Sequence, residues 1–247
     1  RGHLMHTEHH RWFSPALGHD MELNVYGHYG QPIVVFPAQD GRYYDFENFK
    51  MIDSCADLID AGRIKIIAVD SVDWQSWTNS SVHPADRAQR HMDYERYITG
   101  ELAPFVQKHT GLETMWVSGC SMGALHSANF FFRRPDLFDG LIALSGLYDL
   151  RLFIGDYRDE NVYYNSPLEY LPNLSDPWHL ERYRRSKIVV AVGLGRWEED
   201  AIRDTRALER ILEEKGVPAW VDYWGHDVDH DWVSWRKMLP HFLGKLL

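Results

Sequence analysis

Short apolar runs separated by amphipathic segments make up most of the chain. Residues 21–26 alternate apolar and polar side chains, a pattern that predicts a half-buried antiparallel strand. Six further apolar runs predict strands at residues 32–36, 64–70, 115–117, 138–145, 187–192 and 218–224. The continuous runs, such as residues 32–36, are typical of strands that are buried on both faces of a sheet.

Helix-like patterns fill the segments between these strands. They predict helices over residues 46–61, 84–109, 122–133, 198–215 and 231–247. Pro104 is expected to kink or divide the second of these helices. Strands that alternate with helices imply an α/β fold with a mostly parallel sheet and helices on both faces, in one domain over residues 5–247.

Residues 146–185 break this alternation and show no clear period. They predict an irregular, cap-like insertion, and a long insertion of this kind in a compact domain is often functional. Eight of its side chains are aromatic. These aromatics either line a pocket above the sheet or form a small core beneath the loop.

The composition excludes several classes of partner. The formal net charge of −10 argues against nucleic acid and anionic membranes. No apolar run approaches the length of a membrane-spanning helix. The two cysteines form no disulfide framework and residues 6–12 lack a signal-peptide core, so we expect a cytoplasmic protein. Residues 1–4 resemble an expression remnant, and the sequence indicates neither a cofactor nor an oligomeric state.

The segment from Met115 to Arg133 combines a strand, residues 119–123 (GCSMG) and a helix. Strand, G-x-S-x-G and helix is the order of a nucleophile elbow, whose sharp turn presents the serine at the edge of a sheet. Such a turn has no room for a side chain at either flanking glycine. Ser121 is therefore the predicted nucleophile, and Cys120 is expected to be a small packed residue. A tight turn with an idle serine is the alternative.

A serine hydroxyl needs a base that takes its proton, and histidine suits that role near neutral pH. In a fold of this kind the histidine follows the last strand, where residues 225–231 offer His226 and His230. We favour His230 because it stands just before the last helix. The aspartates of the same loop would also allow a metal site, but their spacing is not diagnostic and no metal is predicted.

The acid that orients the histidine is expected after the strand at residues 187–192. Glu198, Glu199 and Asp200 all follow it. Glu198 is favoured because its spacing from Gly195 places it at the end of the strand rather than inside the next helix. Acids in the first turn of a helix also stabilise that helix, which offers a second role for the other two.

A reaction at an ester carbonyl needs N–H donors for the oxyanion. The first expected donor is the backbone N–H of Met122, which directly follows the nucleophile. The second is expected from the loop after residues 32–36, where Pro37 has no N–H. Gln39 is favoured there over Ala38 and Asp40.

From about Trp12 onward, the chain resembles the α/β-hydrolase superfamily. Within it, the chain is similar to the esterase-D-like branch, which includes S-formylglutathione hydrolases, carbohydrate-ester esterases and mycolyltransferases. The resemblance rests on residues 94–104, 119–123, 143–146 and 230–235. It implies a triad of Ser121, His230 and an acid, which Glu198 matches. The loop at residues 36–40 (FPAQD) departs from the usual His-Gly or Asp-Gly of the branch.

The resulting hypothesis is a cofactor-independent serine esterase that cleaves a small-molecule carboxylic ester through an acyl-enzyme. Acyl transfer to an alcohol or amine uses the same intermediate and is an alternative. A non-catalytic binding module with the same fold is another, ranked lower because all three triad positions are filled. Trp74, Trp77 and the aromatic insertion suggest an apolar or sugar-stacking pocket, and the sequence does not indicate the acyl or alcohol part of the substrate.

Overall fold

One eight-stranded sheet runs through the computed structural model, which describes residues 5–247. The predicted expression remnant, residues 1–4, lies outside the described residues. The strands are β1 (Thr7–Ser14), β2 (His19–Tyr26), β3 (Gln31–Phe36), β4 (Ile64–Val69), β5 (Met115–Cys120), β6 (Phe138–Leu144), β7 (Lys187–Val192) and β8 (Trp220–Tyr223). Their order in the sheet is β1-β2-β4-β3-β5-β6-β7-β8. The β1–β2 and β2–β4 pairs are antiparallel and all other pairs are parallel.

Each predicted strand is present within a few residues of its expected bounds, and the mostly parallel α/β architecture is confirmed. The sequence analysis missed β1. Its residues include two charged side chains and two histidines, and its positions alternate between exposed and half-buried. Because polar side chains occupy both faces of β1, no apolar alternation marks it in the sequence.

Twelve α-helices lie within the described residues. They are α1 (Asp45–Asn48), α2 (Met51–Ser54), α3 (Ala56–Asp60), α4 (Pro84–Tyr97), α5 (Ala103–Thr110), α6 (Met122–Arg133), α7 (Arg151–Ile154), α8 (Glu160–Tyr163), α9 (Pro167–Tyr170), α10 (Pro177–Arg185), α11 (Glu199–Glu214) and α12 (Trp232–Leu246). In this part of the chain, every helix is too short or too polar to cross a bilayer.

Two of the predicted helices differ from expectation. The helix expected over residues 46–61 is three short pieces. Lys50, with a φ of +66°, separates the first two, and Cys55, with a ψ of 4°, separates the second from the third. The helix expected over residues 84–109 does not break at Pro104. A π-helical turn, Ile98–Leu102, joins α4 to α5 immediately before the proline and accommodates its missing N–H.

The two faces of the sheet bury separate cores. Along β3, Val34 and Phe36 face a core shared with α4, α5 and α6, while Ile33 and Val35 face a core shared with α1–α3 and α12. Alternate residues of one strand point to opposite faces, which explains why β3 is apolar throughout.

The insertion at residues 146–185 contains α7 to α10. A cavity of about 620 Å³ is lined by four of its tyrosines, Tyr163, Tyr164, Tyr170 and Tyr183, together with Arg133 at the end of α6. Ser121 precedes the opposite end of α6. Twelve residues of α-helix rise about 18 Å, so this aromatic cavity is well separated from the predicted nucleophile.

The parallel strands bring six loops to one edge of the sheet. β4, β3, β5, β6, β7 and β8 are consecutive neighbours, and their carboxyl ends all meet at this edge. In an open α/β sheet this edge is where ligands bind. The loops that follow these six strands carry every residue that the sequence analysis selected for the site.

Candidate active site

Ser121 lies at the turn between β5 and α6. Its φ of +58° falls in the left-handed region, where a side chain with a Cβ atom is strained. A Cβ atom on Gly119 would lie 2.3 Å from the carbonyl oxygen of Gly123, and one on Gly123 would lie 2.6 Å from that of Phe36. Backbone contacts therefore require glycine on both sides of the serine.

His230 makes hydrogen bonds through both of its ring nitrogens. Nε2 lies 2.9 Å from Oγ of Ser121, and Nδ1 lies 2.5 Å from Oε1 of Glu198. An ionised carboxylate can only accept a hydrogen bond, so Nδ1 carries the proton in this pair. In the neutral imidazole, Nε2 is then free to accept the hydroxyl proton of Ser121. Three residues from three separate loops thus form one hydrogen-bonded chain.

Glu198 is fully buried at the start of α11. Its Oε2 accepts hydrogen bonds from the backbone N–H of Gly193 and the hydroxyl of Ser145, both at 2.7 Å. With the bond from His230, three donors surround the carboxylate, which is the requirement for burying a charge. The two other candidate acids, Glu199 and Asp200, are exposed in the first turn of α11.

Close backbone contacts join the loops that carry Glu198 and His230. A Cβ atom on Gly193 would lie 2.0 Å from the carbonyl oxygen of Val228, and one on Gly195 would lie 2.7 Å from the same oxygen. The backbone of Arg196 donates to Asp229 at 2.7 Å and accepts from the N–H of His230 at 2.9 Å. These contacts fix the position of His230 relative to Glu198.

Two functional candidates were not selected from the sequence as site residues, although both lie in segments that carry the family resemblance. The hydroxyl of Ser145, at the end of β6, accepts a hydrogen bond from Nε1 of Trp235 at 2.9 Å and donates to Glu198. The ring of Trp235 also packs edge-on against His230, with centroids 5.0 Å apart. A tryptophan five residues after the histidine on α12 was the available signal.

The loop after β3 lies directly beside the elbow. Gly123 touches the backbone of Phe36, as described above, and Met122 opens α6, where backbone N–H groups have no partner within the helix. The N–H of Asp40 donates to the buried carboxylate of Asp73 at 3.2 Å. Of the three candidate donors in this loop, Asp40 is therefore already engaged, while Gln39 is exposed.

The remaining candidates lie outside the hydrogen-bonded chain. His226 is exposed and borders a cleft along α11, and Asp231 caps α12 by accepting from the N–H of Ser234 at 3.2 Å. Cys120 is buried, and its burial raises the pKa of its thiol well above the usual value. A thiol in that state is a packed side chain rather than a nucleophile.

Comparison with known proteins decides the family. A family model described as "Putative esterase" matches residues 14–246, which is almost the whole chain. The chain belongs to this esterase family. The resemblance inferred from its motifs is thereby confirmed, and so is the expectation of a serine hydrolase acting on carboxylic esters, at the level of the family.

Solved structures of esterases share the fold. A ferulic acid esterase is 16% identical, with a TM-score of 0.76 and coverage of 98% of this chain and 97% of that chain. The S-formylglutathione hydrolase FrmB of Staphylococcus aureus is 16% identical, with a TM-score of 0.74 and coverage of 100% and 98%. The fluorophosphonate-binding serine hydrolase FphF of Staphylococcus aureus is 15% identical, with a TM-score of 0.73 and coverage of 98% for both chains. Among curated proteins, none matches this chain.

Proposed function

We propose that this esterase hydrolyses its substrate through a Ser121–His230–Glu198 triad and an acyl-enzyme. The observation that carries the proposal is the position of His230, which bridges Ser121 at 2.9 Å and Glu198 at 2.5 Å. This is the geometry that lets one imidazole take a proton from a serine while a carboxylate stabilises the resulting imidazolium.

In the first half-reaction, Oγ of Ser121 attacks the ester carbonyl carbon while its proton moves to Nε2 of His230. The carbonyl oxygen becomes an oxyanion. When the tetrahedral intermediate collapses, the alcohol leaves and takes the proton from Nε2, so that Ser121 carries the acyl group. In the second half-reaction, water attacks this ester, His230 again moves the proton, and the carboxylic acid leaves.

The proposed oxyanion donors are the backbone N–H groups of Met122 and Gln39. Met122 is supported by its position at the first turn of α6, where the helix dipole also favours a negative charge. Gln39 is supported by the contact between Gly123 and the end of β3, and by the bond to Asp73 that engages the N–H of Asp40.

An apolar cluster beside the elbow supports a substrate with an apolar acyl part. Met122 packs with Trp77, Leu125 and Leu150, and Phe153 of the insertion lies against them. The similar structures include a ferulic acid esterase and an S-formylglutathione hydrolase. A substrate panel for this chain should therefore contain a feruloyl ester, S-formylglutathione and short-chain p-nitrophenyl esters.

The deciding experiment is labelling with a fluorophosphonate, followed by intact-mass measurement and peptide mapping. The expected result is a single adduct on Ser121, with no labelling and no hydrolysis in Ser121→Ala. The surface variant Ser81→Ala controls for handling and should behave as wild type. Absence of an adduct in folded protein would favour the non-catalytic binding module. An adduct together with product transfer to an added alcohol or amine would favour the acyltransferase.

We also propose that residues 5–247 work as one domain, with residues 146–185 as a cap-like insertion, in the cytoplasm. The sheet draws its strands from the whole described chain, which supports a single folding unit. Cys55 and Cys120 are both free and buried, which suits a reducing compartment. A single calorimetric unfolding transition is the expected result.

A further inference from the structure

A cluster of one carboxylate and three imidazoles lies at the far edge of the sheet from the triad. Glu8 of β1 is in its centre. Its carboxylate oxygens lie 2.8 Å from Nε2 of His6, 2.9 Å from Nε2 of His10, and 3.2 and 3.3 Å from Nε2 of His109. Four strand spacings separate β1 from β5, so this cluster is about 19 Å from the elbow strand.

The sequence pattern of β1 explains why these side chains meet. Residues two apart in a strand point to the same face, which places Glu8 and His10 together. This half-buried face of β1 packs against α5, in which Phe105 and His109 lie one turn apart. The ring of Phe105 contacts both imidazoles, at centroid distances of 4.9 Å to His10 and 5.6 Å to His109.

Helix contacts therefore hold the cluster in place. Further along the same face of β1, the carboxylate of Glu101 accepts hydrogen bonds from Nε1 of Trp12 at 3.0 Å and from the hydroxyl of Ser14 at 2.8 Å. These bonds anchor β1 to the helix beside the cluster. The ligand atoms of His10 and His109 therefore stay close without a metal. Their positions do not depend on a flexible loop.

The donor atoms have the chemistry and the spacing of a zinc site. Zinc binds imidazole nitrogen and carboxylate oxygen at about 2.0–2.2 Å in tetrahedral geometry, which separates neighbouring ligand atoms by about 3.3 Å. The ligand atoms of Glu8, His10 and His109 lie within 4.8 Å of one another, and the nitrogen-to-oxygen distances are already 2.9–3.3 Å. The two imidazole nitrogens lie within 4.8 Å of each other, so moving them together by up to about 1.5 Å would place all three ligands around one ion.

We propose that Glu8, His10 and His109 form a zinc-binding site that fastens β1 to α5. His6, which is exposed and bonded to the same carboxylate, or water takes the fourth position. The site is independent of the triad and serves stability. Zinc bound to the folded chain links an edge strand, paired only with β2, to a helix about one hundred residues later.

The test compares zinc binding and thermal stability in the full chain, first stripped with EDTA and then supplied with ZnCl₂. The expected result is one zinc ion per chain by elemental analysis and equilibrium dialysis. At free zinc about one hundredfold above the dissociation constant, the melting temperature should rise by about 5 °C, and EDTA should reverse the rise.

Variants identify the ligands. His10→Gln and His109→Gln should each weaken zinc binding by more than about tenfold and remove the thermal shift. His9→Gln is the matched control, because His9 lies on the opposite face of β1 and bonds to Glu22. Near-UV circular dichroism without zinc establishes that each variant is folded. Zinc binding that survives in the His10→Gln/His109→Gln double variant, or that is lost equally in His9→Gln, would overturn the proposal, as would no thermal shift in the wild type.

Discussion

Ser145 donates its hydroxyl proton to Oε2 of Glu198 over 2.7 Å, from a backbone position with a φ of +54°. The strained backbone turns the side chain at the end of β6 towards the acid. The same hydroxyl accepts from Nε1 of Trp235, so it links the acid to α12, the helix that follows His230. We therefore propose that Ser145 is a positioning residue for Glu198.

Replacing Ser145 with alanine removes one of the three donors to a buried carboxylate. A hydrogen bond to a charged group contributes about 1.5–3 kcal/mol, and each 1.4 kcal/mol corresponds to about tenfold in rate. We expect kcat for an activated ester to fall by at least about tenfold in Ser145→Ala, with little change in KM, because the freed carboxylate orients His230 less well.

Ser118→Ala is the matched control for this measurement. Ser118 is equally buried in the adjacent strand, but its hydroxyl donates to the carbonyl oxygen of Ile142 at 2.7 Å and does not contact the acid. It should lose stability without losing kcat. If both variants keep the wild-type kcat, Ser145 has only a structural role.

A second prediction separates the three candidate acids. In Glu198→Gln, the side chain has no negative charge to stabilise the imidazolium of His230, and its N–H₂ group can favour the wrong tautomer of the ring. We therefore expect kcat to fall by about 10³–10⁴. Glu199→Gln and Asp200→Asn change exposed side chains in the same helical turn and should leave kcat at the wild-type value. Steady-state kinetics on one ester decides this. A large loss in either control variant would move the triad acid away from Glu198.

Much of this arrangement could be predicted because it is local in the sequence. The apolar runs marked seven strands, and the GCSMG turn marked the elbow, since both patterns follow from burial and sterics within a few residues. Glu198 was selected from its spacing after Gly195, which is also a local pattern, and the structure adds that Gly195 has no room for a side chain beside Val228.

Other features depend on pairings that no local pattern reveals. β1 escaped notice because its half-buried face is polar and packs on a helix about ninety residues later, through bonds such as that from Trp12 to Glu101. The proposed role of Ser145 depends on the sheet order, which brings β6 between the strands that precede Ser121 and Glu198. The three short helices of residues 45–60 follow from two backbone breaks, at Lys50 with a positive φ and at Cys55 with a ψ of 4°.

A third prediction concerns the loop that is proposed to hold the oxyanion. The buried carboxylate of Asp73 accepts from the N–H of Asp40 at 3.2 Å and lies 2.8 Å from Nε2 of His126 on α6. It thereby ties the loop to the elbow helix. In Asp73→Asn, a single side-chain oxygen remains to accept from the N–H of Asp40 and the hydroxyl of Ser71 and to bond to His126, so the loop should shift.

We expect Asp73→Asn to lower kcat by about tenfold or more, because a displaced backbone donor stabilises the oxyanion less well. Thr78→Val is the control. It removes a bond from the Thr78 hydroxyl to the side chain of Asp40, at 2.6 Å, and leaves the backbone anchor in place. Kinetics and melting temperatures are measured together. Lower stability with an unchanged kcat in Asp73→Asn would show that the pair is structural only.

The last prediction concerns acid sensitivity and starts from His91. This histidine is fully buried on α4, and neither ring nitrogen has a hydrogen-bond partner within the described residues. Burial, reinforced by the neighbouring His126 and Arg133 side chains, holds the pKa of His91 well below its usual 6.5. The native state therefore keeps His91 neutral at pH values where the unfolded chain protonates it.

The sign of the effect follows from proton binding. Below about pH 6.5 the unfolded state binds one more proton at this residue than the native state, so the free energy of unfolding falls by up to about 1.4 kcal/mol per pH unit. Above pH 6.5 this contribution to the pH dependence vanishes.

His91→Phe should remove the loss of stability at acid pH that His91 causes. Phenylalanine suits the site because the ring of His91 already packs against Trp77 and Phe130, with centroids 5.1 Å and 6.0 Å apart. Urea unfolding at pH 5 and pH 8 measures how the free energy of unfolding changes with pH in the wild type and in His91→Phe. The exposed residue His28 provides the control His28→Gln, which should retain the wild-type slope. Parallel slopes in wild type and His91→Phe would mean that another group causes the acid sensitivity.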